Sequence, residues 1–275
     1  MTASPHLPAS LARGSDAPAL SERVRWAISD SAVLTRRYLL QLWRVPTVLF
    51  FSLVQPVMFV LLFRYVFGGA IHVPGLNYAE YMIPGAIAQT AAFASFGTAI
   101  GLAYDLGRGL IDRVRSMPAA RFSVLVGRLS SDTLRSLLVV LVLLGVGYAV
   151  GFRFLNGVGP AILMVIVAVV FGLAICTIAA FIGLSLKDPE AVQSFGLVWL
   201  FPLTFVSGAF VPVDSMPGWL QAIARPNPVT LVVSAMRSMA YGGPMAAHLL
   251  EWFAWMVGIF VVFGPLAVRA YRRAS

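Results

Sequence analysis

Residues able to do chemistry are scarce in this chain, and their densest run is "DLGRGLIDRVRSMPAARFSVLVGRLSSD", residues 105 to 132. Asp105 and Arg108 stand three apart, as do Asp112 and Arg115, a spacing that lets side chains pair on a helix. Leu106, Leu110, Val114 and Met117 form an apolar stripe on the opposite face. Residues 105 to 117 therefore predict an amphipathic helix, which Pro118 stops and re-aims. Beyond it Arg128, Asp132 and Arg135 fall at i, i+4 and i+7, on one face at the start of the next apolar run. That face is either a structural salt-bridge ladder or the lining of a vestibule.

Other chemistries are poorly supported. A phosphate-binding loop of the G-x-x-x-x-G-K-[ST] kind needs a lysine after glycine, and the one lysine, Lys187, follows Leu186. His6, His72 and His248 are scattered, which argues against a zinc site, and a single cysteine, Cys176, allows no disulfide within one chain. Cys176 reads as a small buried hydrophobe. Ion-driven carriers keep carboxylates near mid-membrane, whereas Glu80 and Glu251 sit near span ends and the span middles read as acid-free. An integral-membrane lipid-modifying enzyme would have to use Glu80, Asp214 or His248, which the sequence does not gather. A chain with neither coupling acids nor a nucleotide site is passive or borrows work from a partner. A charged helix between apolar runs is where a partner could push.

The elements that position these residues follow from hydropathy. The 275 residues are 59% hydrophobic and 11% charged, against about 25% charged in soluble domains. Arg44 to Arg64 encloses nineteen uncharged residues, Glu80 to Asp105 twenty-four, Arg153 to Lys187 thirty-three and Glu190 to Asp214 twenty-three. Arg135 to Arg153 and Glu251 to Arg269 each enclose seventeen. A spanning helix needs roughly 20 apolar residues. The expected fold is all-α: a polytopic membrane protein with six transmembrane helices. The fifth is expected over Ala191 to Val211, after the turn "KDPE". The glycines of "GVG", Gly145 to Gly147, read as a surface for a neighbouring helix.

The +9 charge orients the protein and implies no nucleic acid. With both termini cytoplasmic, sixteen of the twenty basic residues lie inside, and Arg64, Arg153, Arg225 and Arg237 lie outside. Anionic membrane lipids are the expected contacts of this charge. Residues 1–20 carry no apolar signal core and read as a disordered cytoplasmic tail. Residues 21–44 predict an amphipathic helix, expected to lie in the membrane interface, the alternative being a soluble helix packed on the rest of the protein, with Thr35, Tyr38 and Leu39 on its apolar face and Arg36, Arg37 and Arg44 opposite. Residues 45–275 form the six-span transmembrane domain. Between spans five and six the apolar segment 212–244 predicts two outer re-entrant helices, Pro217 to Ala224 and Pro228 to Tyr241. Asn227 caps the second and Gly242-Gly243 ends it. Arginine-rich, lysine-poor usage points to a bacterial plasma membrane.

The charged stretch, together with "FPLTFVSGAFVPVDSMPGWLQAIARPNPVTLVVSAMRSMAYGGP", resembles type 2 ABC-transporter permeases of the daunorubicin-resistance group along nearly the whole chain. The resemblance implies a permease subunit of an exporter, paired with a second permease copy or paralogue and with separate ATP-binding cassette subunits. ATP and magnesium would belong to those subunits, with no cofactor and no enzyme activity in this chain. The loop after the second span would be the coupling helix, with Asp105, Arg108, Gly109, Asp112, Arg113, Arg115 and Pro118 forming the seat on the ATPase. Residues 21–44 would be the connecting helix. The cargo would be a hydrophobic or amphipathic drug, antibiotic or lipid.

Overall fold

The computed structural model describes residues 32–40, 44, 46–69, 75, 77–108 and 123–273. These are helical, with no strand among them. Helix α1 covers residues 32–40. It is followed by α2 (Pro46–Leu62), which widens into a π-helical turn at Phe63–Phe67, and by α3 (Tyr78–Gly107) and α4 (Ser123–Ala149). Then come α5 (Val158–Leu186), α6 (Pro189–Phe205), α7 (Gly218–Ala224), α8 (Pro228–Tyr241) and α9 (Met245–Arg273).

The bundle is built around α3 and α5, which pack along each other and touch most of the remaining helices. Small residues allow this: Gly183 of α5 lies so close to the backbone of Ala99 that a Cβ there would collide with the Ala99 carbonyl. With no hydrophobic drive between helices in lipid, such close approach is what holds spans together. Of the two predicted packing glycines on α4, Gly147 faces Ile83, where a Cβ would stand 3.2 Å from the side chain; Gly145 faces open space. At the outside of the bundle α2 shows Phe50, Phe51, Met58, Tyr65 and Val66 on its surface.

Among the described residues five helical stretches are long and apolar enough to cross a membrane: Phe50–Phe67, Tyr78–Gly107, Leu125–Ala149, Val158–Leu186 and Met245–Arg273. The expected fifth span is shorter than its sequence suggested. Helix α6 has 17 residues and stops at Phe205 instead of continuing to Val211. The cause is Asn227, whose amide donates to the carbonyls of Leu203 and Val206 at 2.8 and 2.7 Å and so takes over the end of α6. Its Oδ1 meanwhile accepts from Val229 N at 2.8 Å and caps α8. The chain from Val206 to Pro212 then turns beneath α8 with Ser207, Gly208, Ala209 and Phe210 buried. Irregular backbone at membrane depth is tolerated only where protein covers it.

The two short helices match their predicted bounds nearly residue for residue, and their surroundings differ. Helix α7 leaves Trp219 and Ile223 exposed. Helix α8 is buried over most of its length and packs on α3, α5 and α9. Gly242, at φ +89°, ends it. The KDPE turn forms as expected: Lys187 adopts a left-handed conformation, and the Asp188 carboxylate caps α6 by accepting from Ala191 N at 3.0 Å.

Candidate functional site

The ladder at Arg128, Asp132 and Arg135 forms. Arg128 Nε lies 3.2 Å from Asp132 Oδ2, and Arg135 NH2 lies 3.4 Å from Asp132 Oδ1. Thr98 of α3 donates to the same Oδ2 at 2.6 Å, and Cys176 Sγ of α5 sits 3.3 Å from the Thr98 hydroxyl. Both guanidiniums lie across α3 at glycine positions. Arg135 stands against Gly97 and donates to Ala94 O at 3.0 Å. Arg128 lies over Gly101, where any Cβ would strike its guanidinium, and donates to Gly97 O at 2.5 Å. Cys176 is buried, as its sequence setting suggested.

The ladder reaches farther into the bundle than the start of a span. Asp132 is the tenth residue of α4 and Arg135 the thirteenth of its 27; at 1.5 Å per residue these lie about 14 and 18 Å from the helix start. Asp132 is buried. Its oxygens are occupied by two arginines and a threonine. Ionisable groups at such depth are functional candidates.

Arg135 also borders a cavity of about 370 Å³ between α2, α3, α4 and α6. Its walls include Gln55 and Phe59 of α2, Ile87, Gln89, Thr90 and Phe93 of α3, Val139, Val140 and Leu143 of α4, and Phe201 and Phe205 of α6. Phe93 meets Phe201 edge-on at 5.4 Å, and Phe201 stacks on Phe205 at 5.4 Å. The size and the mostly apolar wall with few polar groups suit a small-molecule site. Arg135 thus belongs both to the salt-bridged cluster and to the wall of the cavity.

Of the residues in the charged stretch, Asp105 and Arg108 are described; Gly109, Asp112, Arg113, Arg115 and Pro118 lie outside the described residues. Asp105 does not begin a separate helix, because α3 runs through it to Gly107. The spacing that suggested an Asp105–Arg108 pair leads elsewhere: Asp105 Oδ2 accepts from Tyr38 Oη at 2.9 Å, while the Arg108 guanidinium lies 5.7 Å above the Tyr104 ring. Arg108 is the C-cap of α3, its N–H still bonded to Tyr104 O at 3.0 Å. Tyr38 joins three elements. It is buried, its ring carries the Arg128 guanidinium at 5.2 Å, and α1 also meets α4 where Thr35 Oγ1 donates to Gly127 O at 3.4 Å. Burial first, then the Asp105 carboxylate, push the Tyr38 phenol well above its ordinary pKa. On α1 the predicted faces hold: Tyr38 is buried, whereas Arg36 and Arg37 are exposed.

A second cluster was not read from the sequence. Arg237, counted above as an outer-loop charge, donates from Nε and NH2 to Tyr81 O at 3.1 and 2.8 Å. It also reaches Gly208 O at 2.8 Å and Ala209 O at 3.0 Å, with its guanidinium 3.4 Å from the centre of the Tyr81 ring. The one available signal was an arginine inside an otherwise apolar helix, opposite a Gly-Ala break. Nearby, Pro84 has no N–H to give Glu80 O, and Tyr241 Oη donates to that carbonyl at 3.2 Å.

The residues an enzyme would need are otherwise engaged. Glu80 accepts from Asn77 N at 2.9 Å at the start of α3. Asp214 and His248 do border one cleft, with Glu251, but the exposed Asp214 carboxylate lies 3.4 Å from Arg225 NH2. His248 Nδ1 lies 2.6 Å from Ser238 Oγ, whose own proton goes to Ser234 O at 2.9 Å. Among the described residues no group of three His, Cys, Asp or Glu could hold a metal ion.

Comparison with known proteins agrees with this architecture. The family described as ABC-2 type transporter matches residues 31–241. The chain is 31% identical over 256 residues to a daunorubicin resistance ABC transporter permease protein, DrrB1, of Streptomyces coeruleorubidus, covering 92% of this chain and 90% of that one. It is 32% identical over 260 residues to a probable doxorubicin resistance ABC transporter permease protein, DrrC, of Mycobacterium tuberculosis, covering 94% of each. A putative transport permease of Cyanophora paradoxa, ycf38, is 30% identical over 218 residues, or 76% of this chain and 73% of that one. A helical membrane bundle with a charged ladder beside an apolar cavity, matched over most of its length, makes this chain a member of the ABC-2 type transporter family of multi-pass membrane permeases.

Proposed function

We propose that this chain is the membrane subunit of an exporter that moves an amphipathic drug, antibiotic or lipid out of a bacterial cell. ATP and magnesium act on separate ATP-binding cassette subunits, and a second permease copy or paralogue completes the pathway. Both termini face the cytoplasm and the chain crosses six times, α6 with its buried extension being the fifth crossing. The observation that carries the reading is the mostly apolar cavity at mid-bundle, bordered by four helices and by Arg135.

Residues 105 to 118 form the seat for the ATPase, with Asp105, Arg108, Gly109, Asp112, Arg113, Arg115 and Pro118 as its contacts. Two features support this. Asp105 is tied to the connecting helix through Tyr38, and Tyr38 touches Arg128 of the ladder. A push on the seat therefore has a route of direct contacts to Asp132 and Arg135 at the cavity edge. An ion-coupled carrier is disfavoured because Asp132 already has two guanidiniums and a threonine on its oxygens. A lipid-modifying enzyme is disfavoured by the arrangement of Glu80, Asp214 and His248.

The test is co-expression with the ATPase subunit encoded beside the gene, followed by purification in detergent. The expected outcome is a stable complex whose ATPase rate changes when the permease is present; failure of both would sink the reading. Within that complex the charge reversal D112R/R113D should uncouple hydrolysis from export while leaving membrane insertion intact. Unchanged export would remove these residues from the seat.

A further inference from the structure

Two arginines share one acid in the ladder, and the sharing is unequal. Asp132 Oδ2 takes Arg128 at 3.2 Å and Thr98 at 2.6 Å, whereas Arg135 has only Oδ1, at the longer distance of 3.4 Å. Arg135, one of the two cations that share this single carboxylate, borders the cavity. Asp105, the nearest acid along α3, is engaged by Tyr38 at the helix end and makes no ion pair with either arginine. A net positive charge at this depth is costly, because protein and lipid solvate it poorly.

The cavity has one charged side chain in its wall, Arg135, with Ser52, Gln55, Gln89, Thr90 and Ser136 as its other polar side chains. On α4 its lining begins at Arg135 and Ser136 and continues through Val139 and Val140 to Leu143. Eight residues of helix separate Arg135 from Leu143, about 12 Å. The charge thus stands at one end of an otherwise mainly apolar slot, whose side wall is the aromatic row Phe93, Phe201 and Phe205. An elongated molecule with an anionic head and an apolar body matches both features. A cation would meet Arg135 head-on, and a neutral hydrocarbon would leave the surplus charge of two arginines on one carboxylate without a partner.

We propose that this cavity receives an anionic amphiphile, its carboxylate or phosphate head against Arg135 and its apolar body between Val139, Leu143 and the phenylalanine row. Calling the occupant a cargo rests on the exporter reading; the anion preference does not. The head can belong to a free acidic amphiphile or to an anionic lipid of the bilayer itself.

The test uses the full chain in phosphatidylcholine nanodiscs and a pair of photoactivatable probes, a diazirine-bearing fatty acid and its methyl ester. Labelling of peptides from α3, α4 and α6 is read by mass spectrometry at pH 8. The acid is expected to label the cavity peptides about tenfold more than the ester, the scale of one charge-assisted contact. R135Q should bring the ratio close to one, and R135K, which keeps the cation, should preserve most of it. The unfolding temperature of each variant guards against misreading a disrupted bundle. Equal labelling by acid and ester in the unaltered chain, or an undiminished ratio in R135Q, overturns the proposal.

Replacing a fifth of the lipid by phosphatidylglycerol separates the two sources. Loss of acid labelling assigns the site to bilayer lipid, and persistence assigns it to a free amphiphile; both read the anionic head. No ATPase takes part, so a failure here is distinct from failure to form an exporter complex.

Discussion

Replacing Arg237 by methionine should cost the protein a measurable part of its stability, and the amount can be worked from the contacts. The guanidinium makes four hydrogen bonds to three carbonyls, those of Tyr81, Gly208 and Ala209. Gly208 O would keep the Tyr81 hydroxyl at 3.1 Å, and Tyr81 O lies within α3, so Ala209 O is the group left most exposed to loss. An unsatisfied buried carbonyl costs about 1–3 kcal/mol, and hydrogen bonds to a charged donor contribute roughly 1.5–3 kcal/mol each. Burial pulls the pKa of the Arg237 guanidinium down to about 10, so removing it also recovers a desolvation cost that offsets part of this loss. The net loss expected is about 2–4 kcal/mol. For a chain of this size each kcal/mol moves the unfolding temperature by roughly 2–4 °C, which places the shift between about 5 and 15 °C. Thermal unfolding in detergent, followed by tryptophan fluorescence, reads it. R237K should recover less than half, since a single ammonium cannot reach carbonyls arranged for a planar fork. An R237M midpoint within about 2 °C of the unaltered chain would refute the view that this arginine staples the break after α6.

Two further perturbations address the ladder and the junction at Tyr38. D132N leaves Arg128 and Arg135 without a carboxylate between them and should cost about 3–5 kcal/mol, the usual penalty for breaking a buried ion pair; the double variant R128M/D132N should recover part of it, and purely additive losses in the unfolding midpoints would deny the coupling. Y38F removes the 2.9 Å bond to Asp105 and should cost about 0.5–1.5 kcal/mol. Because the folded protein raises the Tyr38 pKa, this phenol's contribution is full below the ordinary value of 10.0 and declines as pH rises above it. Unfolding midpoints measured from pH 8 to 11.5 should therefore fall less steeply in Y38F than in the unaltered chain, and identical slopes would remove Tyr38 as a source of the alkaline loss.

How much of this was legible in the sequence depends on the range of the interaction. Helices α7 and α8 were readable to within a residue because their signals are local: Pro228 in the first turn, Asn227 before it and Gly242 after. The end of α6 was not, since Gly208 is the one nearby stop signal and the side chain that takes the helix's last carbonyls is Asn227, more than twenty residues on. Arg237 escaped for the same reason. Counting it by sidedness treated its charge as facing water, whereas its partners are carbonyls on α3 and in the turn after α6.

The ladder shows the opposite case, in which a local pattern was right and its location was not. The spacing of Arg128, Asp132 and Arg135 is a property of one helix, and the ion pairs follow from it directly. What the spacing cannot contain is the neighbour. Gly97 and Gly101 on α3 leave two gaps one turn apart, and into these the two guanidiniums fit, each finding a backbone carbonyl within reach. Two glycines of another span thus make charge tolerable at Arg128 and Arg135, about 8 and 18 Å along α4. The same fit turns Arg135 toward the cavity, so the packing that stabilises the ladder also gives the slot its charged end.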